Sequence, residues 1–520
     1  MILDNYVSGR WIGGEGDGVA LRDPVLGTEL ARASTEGIDM AAALDYARAK
    51  GSEALRQKTY AERAALLTKI VETLTANRTA YFEIALANSG SPEADAAIDI
   101  DGAIFTLKYY ARLGATLGET RHILDGDVND VARDQSFQVA HVATPRRGVA
   151  VLINAFNFPS WGLWEKAAPA LLSGVSVLVK PATTTSWLTQ RMIHDVVASG
   201  VLPEGALSLI CGSPRDLLDH IRPWDMLSFT GSADTGMKIR AHPAVLKASP
   251  PVNVEADSVN CALLGPDALL GSPEFDLLIK EVAREMTQKA GQKCTAIRRV
   301  LVPAAQLRNI ADALASRLAK TAIGNPRNAT VRMGPLVNRD QQRAALDGIA
   351  SLKRDTRVIF DGGPEFAPID ADPRVSAFVP PTLLACDDPV AATAVHEIEV
   401  FGPVATLMPY ADLDQAFALA RRGEGSLVAS VYSSDERFFD RAASELADSH
   451  GRVHCVDSTV ASTQTGHGNV MPMSLHGGPG RAGGGAELGG LRALRFYHQV
   501  SALQGPGARV KAFASRAARW

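Results

Sequence analysis

The spacing of apolar residues along this chain changes several times, and the changes divide it into segments. Near the start it is helical. Leu66, Leu67, Ile70, Val71 and Leu74 fall on one helical face, and Thr59 with Glu62 has capping-box spacing in front of them. The stretches near 38–50, 78–90 and 97–114 also predict helices, which would form a layer over one side of a sheet. Residues 1–35 predict short strands and turns, with a hairpin near Gly9 to Gly14. From 136 to 144 the pattern is that of a strand, in a polar region of mixed charge, and suits a projecting hairpin whose edge pairs with another chain.

From 148 to 256 short apolar, β-rich runs recur at 148–154, 175–180, 207–211, 226–230 and 252–255. Helical stretches separate them, notably 183–199, closed by Gly200, and 233–240. Strands alternating with helices at this spacing predict right-handed crossovers and a parallel, doubly wound sheet. Such sheets bind ligands at the carboxyl ends of their strands, where Asn157, Lys180, Gly231, Ser232 and Glu255 fall. After about 260 a second α/β unit is expected. It includes a helix over 275–289, a strand over 300–302, and Cys294 in the turn between them. The glycine-rich tail from His476 to Gly490 precedes a strand-like run, Leu494 to Val500.

Composition narrows the function classes. A chain of 520 residues is too long for one core. A net charge of −4 without a clustered basic excess argues against nucleic-acid binding. Five scattered cysteines with no CxxC pair indicate neither a disulfide framework nor a metal site. The N-terminus has no basic segment followed by an apolar one, and no run is long enough for a membrane helix, so a cytoplasmic setting is expected.

The candidate chemistry centres on Cys294, in Gly291-Gln-Lys-Cys294. A thiol is nucleophilic as thiolate, which adjacent Lys293 would favour. Glu255, at a strand end 39 positions earlier, suits a general base, and the Asn157 amide suits an oxyanion donor. Gly231-Ser232 opens a helix whose N-terminus suits a pyrophosphate, although this turn lacks the GxGxxG fingerprint and the chain has no Walker motif. Taken singly, each also reads as a strand-end carboxylate, a loop amide or a tight turn.

In combination they resemble a known family. Asn157-Phe-Pro, Lys180-Pro-Ala, Phe229-Thr-Gly-Ser, the Glu255 strand end, Gly291-Gln-Lys-Cys294 and Glu399-Val-Phe-Gly-Pro403 have the order and spacing of NAD(P)-dependent aldehyde dehydrogenases, over essentially the whole chain. Ile153 to Pro159, Glu255 to Asn260, Ala290 to Arg299 and His476 to Gly490 resemble the branch that acts on CoA-linked semialdehydes in aerobic aromatic catabolism. The resemblance implies Cys294 as nucleophile, Glu255 as the base that activates water, and Asn157 as oxyanion donor. It also implies Glu487 as a second glutamate near the substrate mouth, able to relay protons. Cofactor contacts would come from Phe156, Lys180, Ala182, Thr183, Gly231, Ser232, Glu399 and Phe401. NAD-preferring relatives carry a glutamate where this chain has Thr183, so NADP is expected ahead of NAD. The presence of Glu255 implies water, not free CoA, as acyl acceptor.

The implied fold is α/β and aldehyde dehydrogenase-like. It has a doubly wound cofactor domain (1–128 and 148–260), a catalytic α/β domain (261–475) and a small β oligomerisation arm with the tail (129–147 and 491–520). The expected partners are a small CoA-thioester semialdehyde and a second copy of the chain, most simply in a homodimer, with no membrane and no metal. Two alternatives remain open at this point: a broader dehydrogenase of free aldehydes, and a catalytically silent binding or structural homologue.

Overall fold

The computed structural model describes all 520 residues. Its first large sheet has seven strands. Val252–Glu255, Met226–Thr230, Val149–Ile153, Ser176–Lys180 and Leu207–Leu209 lie side by side in parallel. The antiparallel hairpin Asn5–Val7/Arg10–Ile12 extends the last edge, so the N-terminal turn signal belongs to this sheet. The central strands are buried almost without alternation, as expected for a parallel sheet covered on both faces. One cover is the helical layer. Tyr60–Ala76 starts at the expected capping box and packs on Glu93–Leu117, which packs in turn on Trp161–Ser173.

The second sheet also has seven strands, with Cys261–Leu264 and Arg299–Pro303 at its centre, flanked by Ser426–Tyr432 and Val404–Tyr410. All its pairs are parallel except that of the edge strand Arg357–Phe360. A third, smaller sheet is built on Phe137–Pro145, paired antiparallel along its whole length with His498–Pro506. The expected strand from Leu494 is displaced: Gly490–Tyr497 is a 3₁₀ segment, and extended backbone begins only at His498. The buried Ala493, Leu494 and Tyr497 recur at helical spacing and anchor the segment in the large core. No helix is long and apolar enough to cross a membrane.

Candidate active site

The carboxyl ends of the first sheet face the turn that carries Cys294, and each supporting loop is pinned from below. Helix Pro273–Thr287 ends in three successive left-handed residues, Lys289 (φ +52°), Ala290 (+51°) and Gly291 (+70°). At Gly291 only glycine fits, because a Cβ there would lie 2.2 Å from the Gly402 carbonyl oxygen. The strained turn is held by buried donors and acceptors. Asp95 accepts the Lys289 N–H (2.8 Å), and Arg298 donates to the carbonyls of Gly402 (2.7 Å) and Gly291 (2.9 Å). Asn260 donates to the Cys294 carbonyl at 2.7 Å, while the Cys294 N–H has no backbone partner. The Asn157 loop leaves strand Val149–Ile153, and Asp99 fixes its far end by accepting the N–H groups of Ser160 (3.1 Å) and Trp161 (2.7 Å).

Cys294 is shared by two cavities. One, of about 440 Å³, is walled by Phe156, Asn157, Ala182, Gly231, Ser232, Glu255, Glu399 and Phe401. The other, of about 330 Å³, is walled largely by Phe105, Phe158, Trp161, Thr295, Val470 and Met471, with His476. The thiol is thus the boundary between a mixed polar chamber at the strand ends and an apolar one.

The electrostatics follow from burial and from one ion pair. Burial alone would raise the Glu255 carboxyl. His476 Nε2, 2.9 Å from Glu255 Oε2, reverses this and holds it well below the ordinary carboxylate range. Burial opposes the His476 charge, but Glu255, then Glu165 and Glu487, hold its pKa above the ordinary value. Burial and then the negative charge of Glu255 push the Cys294 thiol up. Lys293 does not offset that shift: its ammonium is bound to Glu285 (2.7 Å) and Gln288 (2.7 Å), inside the protein. The expectation that Lys293 favours a thiolate is therefore overturned, and burial with the neighbouring carboxylate favours the thiol form of Cys294.

Most of the expected residues converge here. Asn157, Glu255 and Cys294 share the larger cavity with Phe156, Ala182, Gly231, Ser232, Glu399 and Phe401. Phe156 and Phe401 meet edge to face at 5.6 Å. Burial raises Glu399 to about 8, against Arg298, and its Oε1 has no partner in the chain. Lys180 ends its strand and Thr183 opens the next 3₁₀ turn. Burial lowers the Lys180 pKa, and no carboxylate pairs with it. At the helix after Gly231, Ser232 caps Thr235 and the Asp257 carboxylate accepts the Ala233 N–H at 3.0 Å. Unpartnered Glu399 Oε1 and Thr230 Oγ1, with a strand-end chamber beside an unpaired lysine, fit a dinucleotide: acceptors for hydroxyl groups and a cation for phosphate.

Glu487 is placed differently from the expectation. It lines neither cavity and is not at a mouth. It is buried behind Glu255, where it accepts from Ser228 (2.7 Å) and Asn253 (2.8 Å) and pairs with Lys166 (2.9 Å). Lys166 also contacts Glu165, and oxygens of Glu165, Glu255 and Glu487 lie within 4.8 Å of one another. Burial raises Glu165 to about 8, with Lys166 opposing. The sequence reading missed this group and the ionic role of His476. The available signal was Glu165-Lys166 inside an otherwise apolar helix, since charged residues are almost never fully buried unless paired.

The family is independently evident. A model of the aldehyde dehydrogenase family matches residues 11–503. The chain is 58% identical over 479 residues to the 3,4-dehydroadipyl-CoA semialdehyde dehydrogenase of Aromatoleum evansii, spanning 92% of this chain and 93% of that one. It is 26% identical over 452 residues to the D-glyceraldehyde dehydrogenase (NADP(+)) of Thermoplasma acidophilum, spanning 85% and 86% of the two chains. In fold it is similar to the NAD+ complex of Staphylococcus aureus betaine aldehyde dehydrogenase, with a TM-score of 0.84 at 22% identity over 97% of this chain and 95% of that one. With the family match over most of its length and the Cys294 turn between two chambers, the chain belongs to the aldehyde dehydrogenase family of oxidoreductases.

Proposed function

We propose that this enzyme oxidises a CoA-linked aliphatic semialdehyde, that of 3,4-dehydroadipyl-CoA, to the carboxylic acid in benzoate catabolism, with NADP ahead of NAD. The observation that carries the chemistry is Cys294 on the shared wall of two chambers, next to Glu255. The substrate class is supported by the 58% identity to the A. evansii enzyme and by an apolar chamber suited to a short acyl chain.

Each protein group has a definable task. Glu255 takes the Cys294 proton as sulfur adds to the aldehyde carbon. The Asn157 amide and the Cys294 N–H stabilise the oxyanion of the thiohemiacetal. Lys180, Ala182, Thr183, Gly231 and Ser232 would hold the phosphate and adenosine side of the dinucleotide, and Phe156, Glu399 and Phe401 its nicotinamide side. That cofactor, when bound, supplies the hydride acceptor. Glu255 then takes a proton from water as it attacks the Cys294 thioester, releasing acid and restoring the thiol. Glu487, with Glu165 and Lys166, forms a buried chain through which Glu255 can pass protons onward.

The NADP preference is supported by Thr183, which brings no carboxylate to repel a 2′-phosphate, and by the unpaired Lys180. A homodimer is supported by the edge strand His498–Pro506, with Val500 and Leu503 exposed along it. The test is NADPH formation from a panel of CoA-linked and free semialdehydes of matched length. A higher kcat/KM for the free aldehydes would refute the CoA-linked reading, and an acyl-CoA formed at the aldehyde carbon would refute water as acceptor. Equal or better use of NAD would refute the cofactor preference, and Thr183→Glu is expected to shift use toward NAD.

A further inference from the structure

His476 lies in the short antiparallel ladder Leu475–Gly477/Ala486–Leu488, directly opposite Glu487. Its imidazole is buried and packs against Trp161, with ring centres 5.4 Å apart, and it helps wall the apolar chamber. Donor atoms of His476, Glu255 and Cys294 lie within 4.8 Å of one another. The two carboxylate oxygens of Glu255 have different surroundings. Oε2 forms an ion pair with His476 Nε2 at 2.9 Å, although the angles fall outside those of a hydrogen bond, whereas Oε1 is buried without a hydrogen-bond partner. From this asymmetry we propose that His476 is a positioning residue, an imidazolium that fixes Glu255 through Oε2 and keeps it ionised, so that Oε1 takes the proton first of Cys294 and then of water.

The inference rests on the proposed role of Glu255 and adds a reason why a fully buried carboxylate works as a base. Without an opposite charge beside it, burial raises the pH at which it takes a proton, so the base is lost at the acid end of the working range. The other charged groups facing the pair do not replace His476. Lys166, on Trp161–Ser173, also favours ionised Glu255, but less than His476 and while bound to Glu165 and Glu487; Glu399 and Cys294 face the pair from the cofactor side without positive charge. His476 also links the two chambers. A substrate chain pressing on Trp161 presses on the ring that sets the base.

The test compares wild type, His476→Gln, which keeps a donor but loses the charge, and His476→Phe, which loses both. The first readout needs no substrate. Infrared difference titration of the protonated Glu255 carboxyl, with Glu255→Gln and Glu255→Gln/His476→Gln as references, is expected to move up by about 1–3 pH units in His476→Gln. The second is turnover of a medium-chain aliphatic aldehyde with NADP. The acid limb of kcat should move with the infrared midpoint, KM should change little, and below that midpoint a burst of NADPH should appear as thioester hydrolysis becomes limiting. An unchanged infrared midpoint in His476→Gln overturns the proposal, even if His476→Phe fails to fold. A wild type that titrates as expected but forms no NADPH from any aldehyde leaves the ion pair standing and refutes the dehydrogenase reading.

Discussion

Glu165→Gln is expected to stabilise the protein, by an amount that grows with pH. Glu165 is buried beside Lys166, Glu487 and Glu255, and its pKa rises from 4.5 to about 8, by burial first and Glu487 after, with Lys166 opposing. A carboxyl whose folded pKa exceeds its unfolded one contributes stability below the unfolded value and loses it as pH rises through the folded value. The unfolded chain releases this proton near pH 4.5, while the folded one keeps it to about pH 8. At 1.36 kcal/mol per pH unit, the loss is small at pH 5 and grows to on the order of a few kcal/mol by pH 8.5. Glutamine has the shape of the protonated acid and no proton to lose, so it removes this cost, while Lys166 keeps Glu487 as partner. Urea midpoints at pH 5 and pH 8.5 measure the difference, with tryptophan fluorescence as probe. A gap between wild type and Glu165→Gln that is the same at both pH values would refute the reasoning, as would a variant less stable than wild type at pH 8.5.

Three further outcomes are expected. Asn157→Ala should lower kcat by ~10²–10³, the usual effect of losing one oxyanion donor. Iodoacetamide should still alkylate Cys294 in that variant, and unchanged kcat would remove Asn157 from the mechanism. Gly291→Ala should abolish turnover and lower the melting temperature, because the new Cβ meets the Gly402 oxygen at 2.2 Å with φ at +70°. Wild-type activity in this variant would show that the turn does not need its left-handed geometry. Leu503→Asp, on the exposed edge strand, should halve the mass measured by sedimentation at micromolar concentration. An unchanged mass would place the subunit contact elsewhere.

The legible parts of the fold and site were those encoded in short windows. Strands 149–153 and 176–180 read correctly because strands buried on both faces are nearly continuous apolar runs. The helix from Tyr60 was marked by its own cap. The Cys294, Glu255 and Asn157 loops were likewise visible as residues at the ends of such runs. The distant pairings were not visible. Leu494 to Tyr497 reads as strand because its apolar residues do not show which element they pack on. Lys293 reads as an electrostatic aid until the fold sets Glu285 against it. His476 reads as a tail residue and Glu487 as a glutamate near the mouth until that tail is placed.

The glycine-rich tail follows from the same geometry. In the sequence it carries part of the family resemblance and Glu487, but nothing there explains so many glycines. In the fold it runs against the last strand of the first sheet. Gly485 N–H donates to the Val254 carbonyl at 3.1 Å, and Ala256 N–H to the Ala482 carbonyl at 3.0 Å. A Cβ on Gly483 or Gly485 would lie 2.2 or 2.5 Å from that same Val254 oxygen. The glycines therefore permit one close approach, beside the strand that ends in Glu255. Because the approach is close, the ladder that follows can set His476 on one side of Glu255 and Glu487 behind it, with one carboxylate oxygen paired to His476 and the other without a partner.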